Sequence, residues 1–307
     1  MKISFIGSGK VGAAIAYSVA LKGLATEIVL TDHSSDKAHG EALDILQGQA
    51  FCPQAKITSG EIVDTADSNI VVITAGTPRR ADEPRIELLS RNAGIIMDIT
   101  KKVVALSPDC ILFIVTNPLD IMTYLAYHAS GLAAGRVIGM GTALDTARYR
   151  SYLAKQFNVD ARDIDAYVLG EHGETMVPLT SNIHVKGLPL SSLPSYDEEA
   201  VKQIANDVCS ASGQVIALKG GTVFAPAVAA CAVLEAIIND TRQLLPVSVF
   251  SDKYKTALSL PAIIGRQGAI QALDIPMTPL EEAALGKSIE NIKTYITELK
   301  NILPANL

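Results

Sequence analysis

The chain has 307 residues, 49% of them hydrophobic, and 26 Lys and Arg against 32 Asp and Glu leave a net charge of −6. That length and apolar content suffice for two packed domains or one large one. The acidic balance, with no basic stripe to neutralise phosphates, excludes nucleic-acid binding, and no apolar run reaches the roughly 18 residues that cross a bilayer.

Strands and helices alternate through the first half. Lys2 to Ile6 reads as a short apolar strand, Val11 to Leu21 as an Ala-rich helix, Glu27 to Thr31 as a second strand and Ser35 to Gln47 as a polar-faced helix. Ile57 marks a short third strand. Asn69 to Ala75 is nearly all apolar, as a strand covered on both faces should be. A long helix over Arg85 to Leu106 follows, then a buried strand over Cys110 to Thr116 closed by Asn117-Pro118, a helix over Asp120 to Ala129 and a last strand over Val137 to Met140. Such alternation with short loops predicts an α/β fold, a doubly wound parallel Rossmann sheet over residues 1–141. After Gly141 the pattern changes. A helix over Leu144 to Phe157 leads into irregular strands from Ile164 to Leu190, helices over Asp197 to Leu218 and Ala225 to Ile238, a β-rich stretch from Leu244 to Ile264 and a final amphipathic helix over Leu280 to Ile302. Residues 142–307 are therefore expected to form an α+β catalytic domain, with the site between the two domains.

Four cysteines, Cys52, Cys110, Cys209 and Cys231, lie far apart with no CxxC. They read as small buried hydrophobes in a reducing compartment, with no metal site. The first strand runs straight into a glycine loop without the apolar region and cleavage site of a signal peptide, so a cytoplasmic location is expected.

Gly7-Ser8-Gly9-Lys10-Val11-Gly12 is GxGxxG between a strand and a helix. The first Gly makes the tight turn, the second lets the backbone approach a pyrophosphate, and the third lets helix pack on strand. Lys10 and Val11 open the helix, whose N-terminus offers N–H donors and a positive dipole end. Asp32 ends the second strand 20 residues after Gly12. An acid there accepts from ribose hydroxyls and repels a 2′-phosphate, so the expected cofactor is NAD rather than NADP. A tight turn plus a helix-capping Asp is the alternative.

Hydride transfer from an alcohol needs a base for the hydroxyl proton, and the reverse reaction needs a proton donor. His172, in Gly170-Glu171-His172-Gly173, suits that role. Asp145 is a candidate to fix its tautomer, or an ordinary acid in the first turn of a helix. Arg148, three residues on and on the same helical face, can grip a carboxylate through two parallel hydrogen bonds, or be a surface Arg. The segment from Thr74 to Arg85, with Arg79, Arg80 and Arg85, follows a parallel strand and has the composition of a closing, anion-binding lid or of a solvated surface. Asn117 can donate its amide to a substrate oxygen, and Asn before Pro is also a common turn.

Together these residues resemble the lactate/malate dehydrogenase family, in particular its lactate-dehydrogenase-like malate dehydrogenases, over essentially the whole chain. The motifs that carry the likeness are Gly7 to Gly12, Thr74-Ala75-Gly76, Val115-Thr116-Asn117-Pro118, Leu144-Asp145-Thr146-Ala147-Arg148 and Gly170 to Gly173. The resemblance implies that His172 is the proton acceptor and donor with Asp145 as partner. Arg85 polarises the substrate carbonyl, Arg148 holds the carboxylate and Asn117 contacts substrate. Asn92, Val115 and Thr116 lie along the cofactor, and Thr222 falls at a pocket wall. Family likeness also implies a homo-oligomer, a tetramer or dimer.

Substrate choice in that family rests largely on the position six residues before the carbonyl-polarising Arg, which holds Gln in lactate and Arg in malate dehydrogenases. Here it is Arg79. A second guanidinium would pair with the distal carboxylate of a small dicarboxylate and would be an unpaired buried charge against pyruvate. The expected function is therefore NAD-dependent oxidation of (S)-malate to oxaloacetate, a step of the tricarboxylic acid cycle. L-lactate or broad 2-hydroxy-acid dehydrogenase is the alternative. Three features depart from the malate pattern: Glu171 in Gly-Glu-His-Gly, the acids in Ala81-Asp82-Glu83-Pro84, and an intermediate Lys219-Gly220-Gly221-Thr222. Asp165 stands seven residues before His172, where sugar-bisphosphate-activated lactate dehydrogenases carry His, so no such activation is expected. An NAD-dependent, metal-requiring glycosidase would need a Cys near His172, and a non-catalytic NAD-binding protein would not need Arg85, Asp145, Arg148 and His172 together.

Overall fold

The computed structural model describes residues 1–77 and 85–302, without the Arg85 side chain. Expectations that rest on Arg79, on the Arg85 side chain or on the 78–84 segment lie outside the described residues.

Strands β1 (Lys2–Ile6), β2 (Glu27–Thr31), β3 (Lys56–Ser59), β4 (Ile70–Ile73), β5 (Ile111–Ile114) and β6 (Val137–Gly139) form a parallel sheet in the order β3-β2-β1-β4-β5-β6. Strands β4 and β5 are buried at every position, as apolar strands covered by helices on both faces must be. Those covers are α1 (Lys10–Leu21), α2 (Ser35–Gln47), α3 (Arg85–Leu106) and α4 (Leu119–Ser130). The strand order reverses between β1 and β4, which opens a crevice beyond their carboxyl ends.

Both β4 and β5 are shorter than the apolar runs predict. At the end of β4 the amides of Thr74 and Ala75 converge on the carbonyl of Ile6, at 2.9 and 2.8 Å, and the ladder stops. The Thr116 hydroxyl beyond β5 donates to the Ala75 carbonyl at 2.7 Å. Side-chain hydroxyls thus take over where strand pairing ends.

The second half starts with α5 (Ala143–Phe157) and five two-residue strands, β7 (Ile164–Asp165), β8 (Val168–Leu169), β9 (Val177–Pro178), β10 (His184–Val185) and β11 (Leu188–Pro189). Helices α6 (Glu198–Lys219) and α7 (Phe224–Ile238) follow, then the antiparallel meander β12 (Gln243–Ser251), β13 (Thr256–Gly265) and β14 (Gly268–Ala272), and finally α8 (Pro279–Ile302). The meander does not stand apart. It joins β6 through one pairing, Ser248 opposite Gly139, and makes a single nine-stranded sheet across residue 141. A Cβ at Gly139 would sit 2.3 Å from Thr123 Oγ1 and 2.9 Å from Ser248 Cβ, so the side-chain-free position is what lets β12 approach. The Ala-rich α7 extends the same continuity, since its Ala230 and Leu234 share a core with Ile15 and Val19 of α1.

Cys110 and Cys231 are buried as expected, but Cys52 is half-buried and Cys209 exposed. Among the described residues, no helix is long and apolar enough to cross a membrane.

Glu281, in the first turn of α8, anchors that helix to the segment after β9. Its carboxylate accepts the amides of Thr180 (2.8 Å), Ser181 (3.0 Å) and Thr278 (2.8 Å) and the hydroxyls of Ser181 (2.6 Å) and Thr278 (2.9 Å). Burial pushes this carboxyl up, but the donors outweigh it and hold it down at about 2. A carboxyl depressed on folding stabilises the native state above its ordinary value near 4.5, and that contribution fades as pH falls towards 2. Glu281→Ala is expected to cost about 2–3 kcal/mol at neutral pH. Urea unfolding at fixed protomer concentration checks this, and the gap between variant and parent should close as the pH approaches about 2.

Candidate active site

The glycine loop lies in the crevice between β1 and β4. Gly7 has φ +103°, and a Cβ there would sit 2.6 Å from the Ala75 amide nitrogen. A Cβ on Gly12 would sit 2.0 Å from the Gly7 carbonyl oxygen. Gly9 faces open space, with Lys37 Nζ as nearest neighbour at 3.8 Å. Gly9 is also the N-cap of α1, with no side-chain cap and no acid in the first turn. Uncapped amides and an unopposed dipole end beside a glycine that admits close approach fit a pyrophosphate.

Asp32 directly follows β2 beside this loop. It accepts the Ser8 amide at 2.7 Å and the Ser34 amide at 3.2 Å, with His33 Nδ1 at 2.6 Å and Lys37 Nζ at 3.8 Å. Burial raises its proton affinity, but the two amides and Lys37 outweigh that and hold the carboxyl below its ordinary value. Asp32 thus shapes the glycine loop and remains anionic, with lone pairs in excess of its amide partners. Lys10 is exposed and Val11 half-buried at the start of α1.

His172 sits between β8 and β9, where three consecutive amides are held by three different elements. The Gly170 amide donates to Ser259 of β13 at 3.0 Å. The Glu171 amide donates to the Ser288 hydroxyl of α8 at 2.8 Å. The His172 amide donates to Asp120 Oδ2 of α4 at 2.7 Å. Glu171 adds a further tie, accepting from Asn291 at 2.8 Å and from the Thr175 hydroxyl. The imidazole is thereby set by the packed body of the protein rather than by its own loop.

Its Nδ1 lies 2.6 Å from Asp145 Oδ2, and the other oxygen of Asp145 accepts Arg148 Nη1 at 2.9 Å. Asp145 is fully buried, while the side chains of Arg148 and His172 are 10% and 14% exposed. Arg148 Nη1 also donates to Ser212 of α6 at 2.8 Å. Its Nη2 is buried and, among the described residues, without a partner. A guanidinium nitrogen withheld from water and from protein acceptors fits an anionic ligand.

The electrostatics follow this geometry. Burial raises the Asp145 carboxyl, but His172 and Arg148 outweigh it and hold the group ionised below its ordinary value. Burial lowers His172, yet the charge and hydrogen bond of Asp145, with the charge of Asp120, lift it above 6.5. An ionised Asp145 accepts the hydrogen bond from Nδ1–H, which leaves Nε2 as the exchanging nitrogen.

The remaining expected residues fall around this centre. The buried Asn92 of α3 accepts the Thr77 amide at 2.9 Å and donates to the Asn117 carbonyl at 2.9 Å, so its amide joins two strand-end loops. Val115 is packed in the core, and Thr116 lies beneath Gly76, whose Cβ would sit 2.6 Å from the Thr116 methyl. The Asn117 side chain is exposed, before a cis bond to Pro118. Thr222 is half-buried between α6 and α7. Arg85 is the first residue of α3. Asp120 and Ser212 were not singled out from the sequence. An acid inside the apolar Leu119-Asp120-Ile121-Met122 was a signal for the first, but nothing local pointed to the second. Among the described residues no group of three His, Cys, Asp or Glu is placed to hold a metal.

Both halves of the chain match known sequences. Residues 1–139 match the NAD-binding domain of lactate/malate dehydrogenase, and residues 142–303 match its alpha/beta C-terminal domain. The chain belongs to the lactate/malate dehydrogenase family, and its cofactor is NAD. It is 41% identical to an L-lactate dehydrogenase of Thermoanaerobacter sp. (strain X514), over 97% of this chain and 99% of that one. Among solved structures, the minor L-lactate dehydrogenase of Enterococcus mundtii superposes with a TM-score of 0.94 at 34% identity, covering 99% of this chain and 98% of that one. The malate dehydrogenase of Salinibacter ruber superposes with a TM-score of 0.91 at 33% identity, covering 98% of each. Full-length relatives at 36% to 41% identity carry the name L-lactate dehydrogenase. The malate assignment drawn from Arg79 is therefore overturned, and with it the dicarboxylate substrate and the place in the tricarboxylic acid cycle. Glu171 in Gly-Glu-His-Gly, which departs from the malate pattern, agrees with this correction.

Proposed function

We propose that this chain is an NAD-dependent L-lactate dehydrogenase, which interconverts L-lactate and pyruvate. The observation that carries the chemistry is the continuous line from His172 Nδ1 through both oxygens of Asp145 to Arg148. The names of the relatives support the substrate.

In this reading Gly7, Gly9, Lys10, Val11, Gly12 and Asp32 would hold the dinucleotide, with Asn92, Val115, Thr116 and Asn117 shaping its far end. NAD, when bound, supplies the hydride acceptor. Arg148 holds the substrate carboxylate through its unpartnered Nη2, which fixes the orientation of the 2-hydroxyl. His172 takes the hydroxyl proton at Nε2 during lactate oxidation and returns it to the carbonyl oxygen during pyruvate reduction. Asp145 stays ionised, fixes the tautomer and stabilises the imidazolium. Arg85 polarises the carbonyl and Thr222 contributes to the pocket wall. Residues 1–141 carry the cofactor and 142–307 the acid/base group. The protein works as a cytoplasmic homo-oligomer, a state supported by exposed apolar side chains such as Tyr17, Phe224 and Val228.

NADH oxidation by the purified protein, followed by absorbance, tests the substrate. Pyruvate is expected to be turned over faster than oxaloacetate at equal concentration. A faster rate with oxaloacetate would overturn the assignment.

A further inference from the structure

Asp120 is a buried acid that has no part in the reaction scheme above. It sits in the first turn of α4, 1% exposed, in the otherwise apolar Leu119-Asp120-Ile121-Met122. Its Oδ2 accepts the His172 amide at 2.7 Å. Its Oδ1 is buried with no hydrogen-bond partner among the described residues, and the same holds for the hydroxyl of Ser248 on β12. Ser248 is close enough to favour the ionised carboxyl without completing a bond of ordinary geometry.

A carboxylate is an expensive way to satisfy one amide. A neutral Asn accepts the same hydrogen bond and leaves no charge to desolvate. The position of the charge, one residue's backbone away from the imidazole, is what an Asn would not supply. We infer that Asp120 is a positioning residue for His172, which anchors the histidine's backbone and supplies a second negative charge that favours its imidazolium. The first such charge is Asp145, so the imidazole lies between a carboxylate bonded to its ring and a carboxylate bonded to its main chain.

Other groups act on the pair. Arg148 from α5 opposes the imidazolium, Glu171 from the same loop raises Asp120, and Cys209 from α6 faces Asp145. The Arg85 side chain lies outside the described residues. Burial pushes Asp120 up to about 6, against the Ser248 hydroxyl and the His172 amide. Asp120 and His172 therefore titrate as a coupled pair, and the charge of Asp120 is present above about pH 6.

The inference rests on His172 being the acid/base group, and Asp120→Asn tests it. The Asn keeps an acceptor for the His172 amide and removes the charge. The pH limb of pyruvate kcat/KM and that of lactate kcat/KM are both expected to move down by about half to one pH unit. At pH above the limb, pyruvate kcat/KM should then fall about three- to tenfold, and it should return to the parent value below the limb. A merely structural lesion would lower both profiles without moving their limbs.

An independent readout is the histidine NMR titration of the cofactor-free protein. The His172 signal, one of five histidines, is assigned by its loss in His172→Asn. That signal should titrate at lower pH in Asp120→Asn. An unmoved or upward titration overturns the inference whatever the activity. A downward shift in a protein whose His172→Asn form still turns over would instead overturn the acid/base role. Should the Asn chain fail to fold, Ser248→Ala decides the matter. Loss of the hydroxyl that favours ionised Asp120 should move the His172 titration down by less, and no movement overturns the inference.

Discussion

His172→Asn is expected to slow pyruvate reduction by about 10³–10⁴-fold while NADH affinity stays unchanged. The size follows from the absence of a substitute. In the buried line the imidazole is the one group bonded to Asp145 that can both take and return a proton near neutrality. The fold should survive, because the Asn amide can still donate to the buried Asp145 oxygen. Single-turnover kinetics is the measurement to use, since loop movement or product release can mask the chemical step in steady state. A loss of less than about tenfold would remove His172 from the mechanism. The parent enzyme adds a sign to check. Asp145 and Asp120 lift His172 above 6.5, and reduction requires its protonated form. Pyruvate reduction should therefore fall as pH rises through that raised value, and lactate oxidation should rise.

Arg148→Lys carries the other large effect. The Lys keeps a positive charge beside Asp145 but loses the planar pair of donors. Arg148 Nη1 is already committed to Asp145 and Ser212, at 2.9 and 2.8 Å, and Nη2 is the donor left for substrate. A single ammonium cannot serve both sides. The expected loss in pyruvate kcat/KM is about 10²–10³-fold, mostly through KM, which corresponds to about 3–4 kcal/mol. The neutral methyl ester of pyruvate, reduced poorly by the parent, should lose much less. Equal losses for acid and ester would mean that Arg148 supports the fold rather than grips the carboxylate.

The parts of this molecule that are legible in the chain are those governed by local rules. GxGxxG between a strand and a helix, the presence of the apolar strands β4 and β5 though not their ends, and a 22-residue α3 all follow from periodicity and glycine placement. The pairing of His172 with Asp145 was accessible because a base needs an orienting carboxylate and because Leu144 to Arg148 resembles the family's motif. Contacts without a local signature were not accessible. Asp120 reaches His172 across 52 residues and Ser212 reaches Arg148 across 64, and both bonds exist only because helices pack. The continuity of the sheet was missed for the same reason, since Ser248 and Gly139 meet through tertiary approach alone. Substrate choice failed differently. Arg79 alone carried the malate reading, and full-length relatives at 36% to 41% identity are named L-lactate dehydrogenase.

The pairing of Ser248 with Gly139 constrains how the molecule can work. With strands from both halves hydrogen-bonded edge to edge, the nucleotide cradle and the proton-transfer group are not two jaws on a hinge. The two are joined like parts of a single girder, and a motion that prised the halves apart would have to break this pairing. Segments off the girder can open and shut without that break.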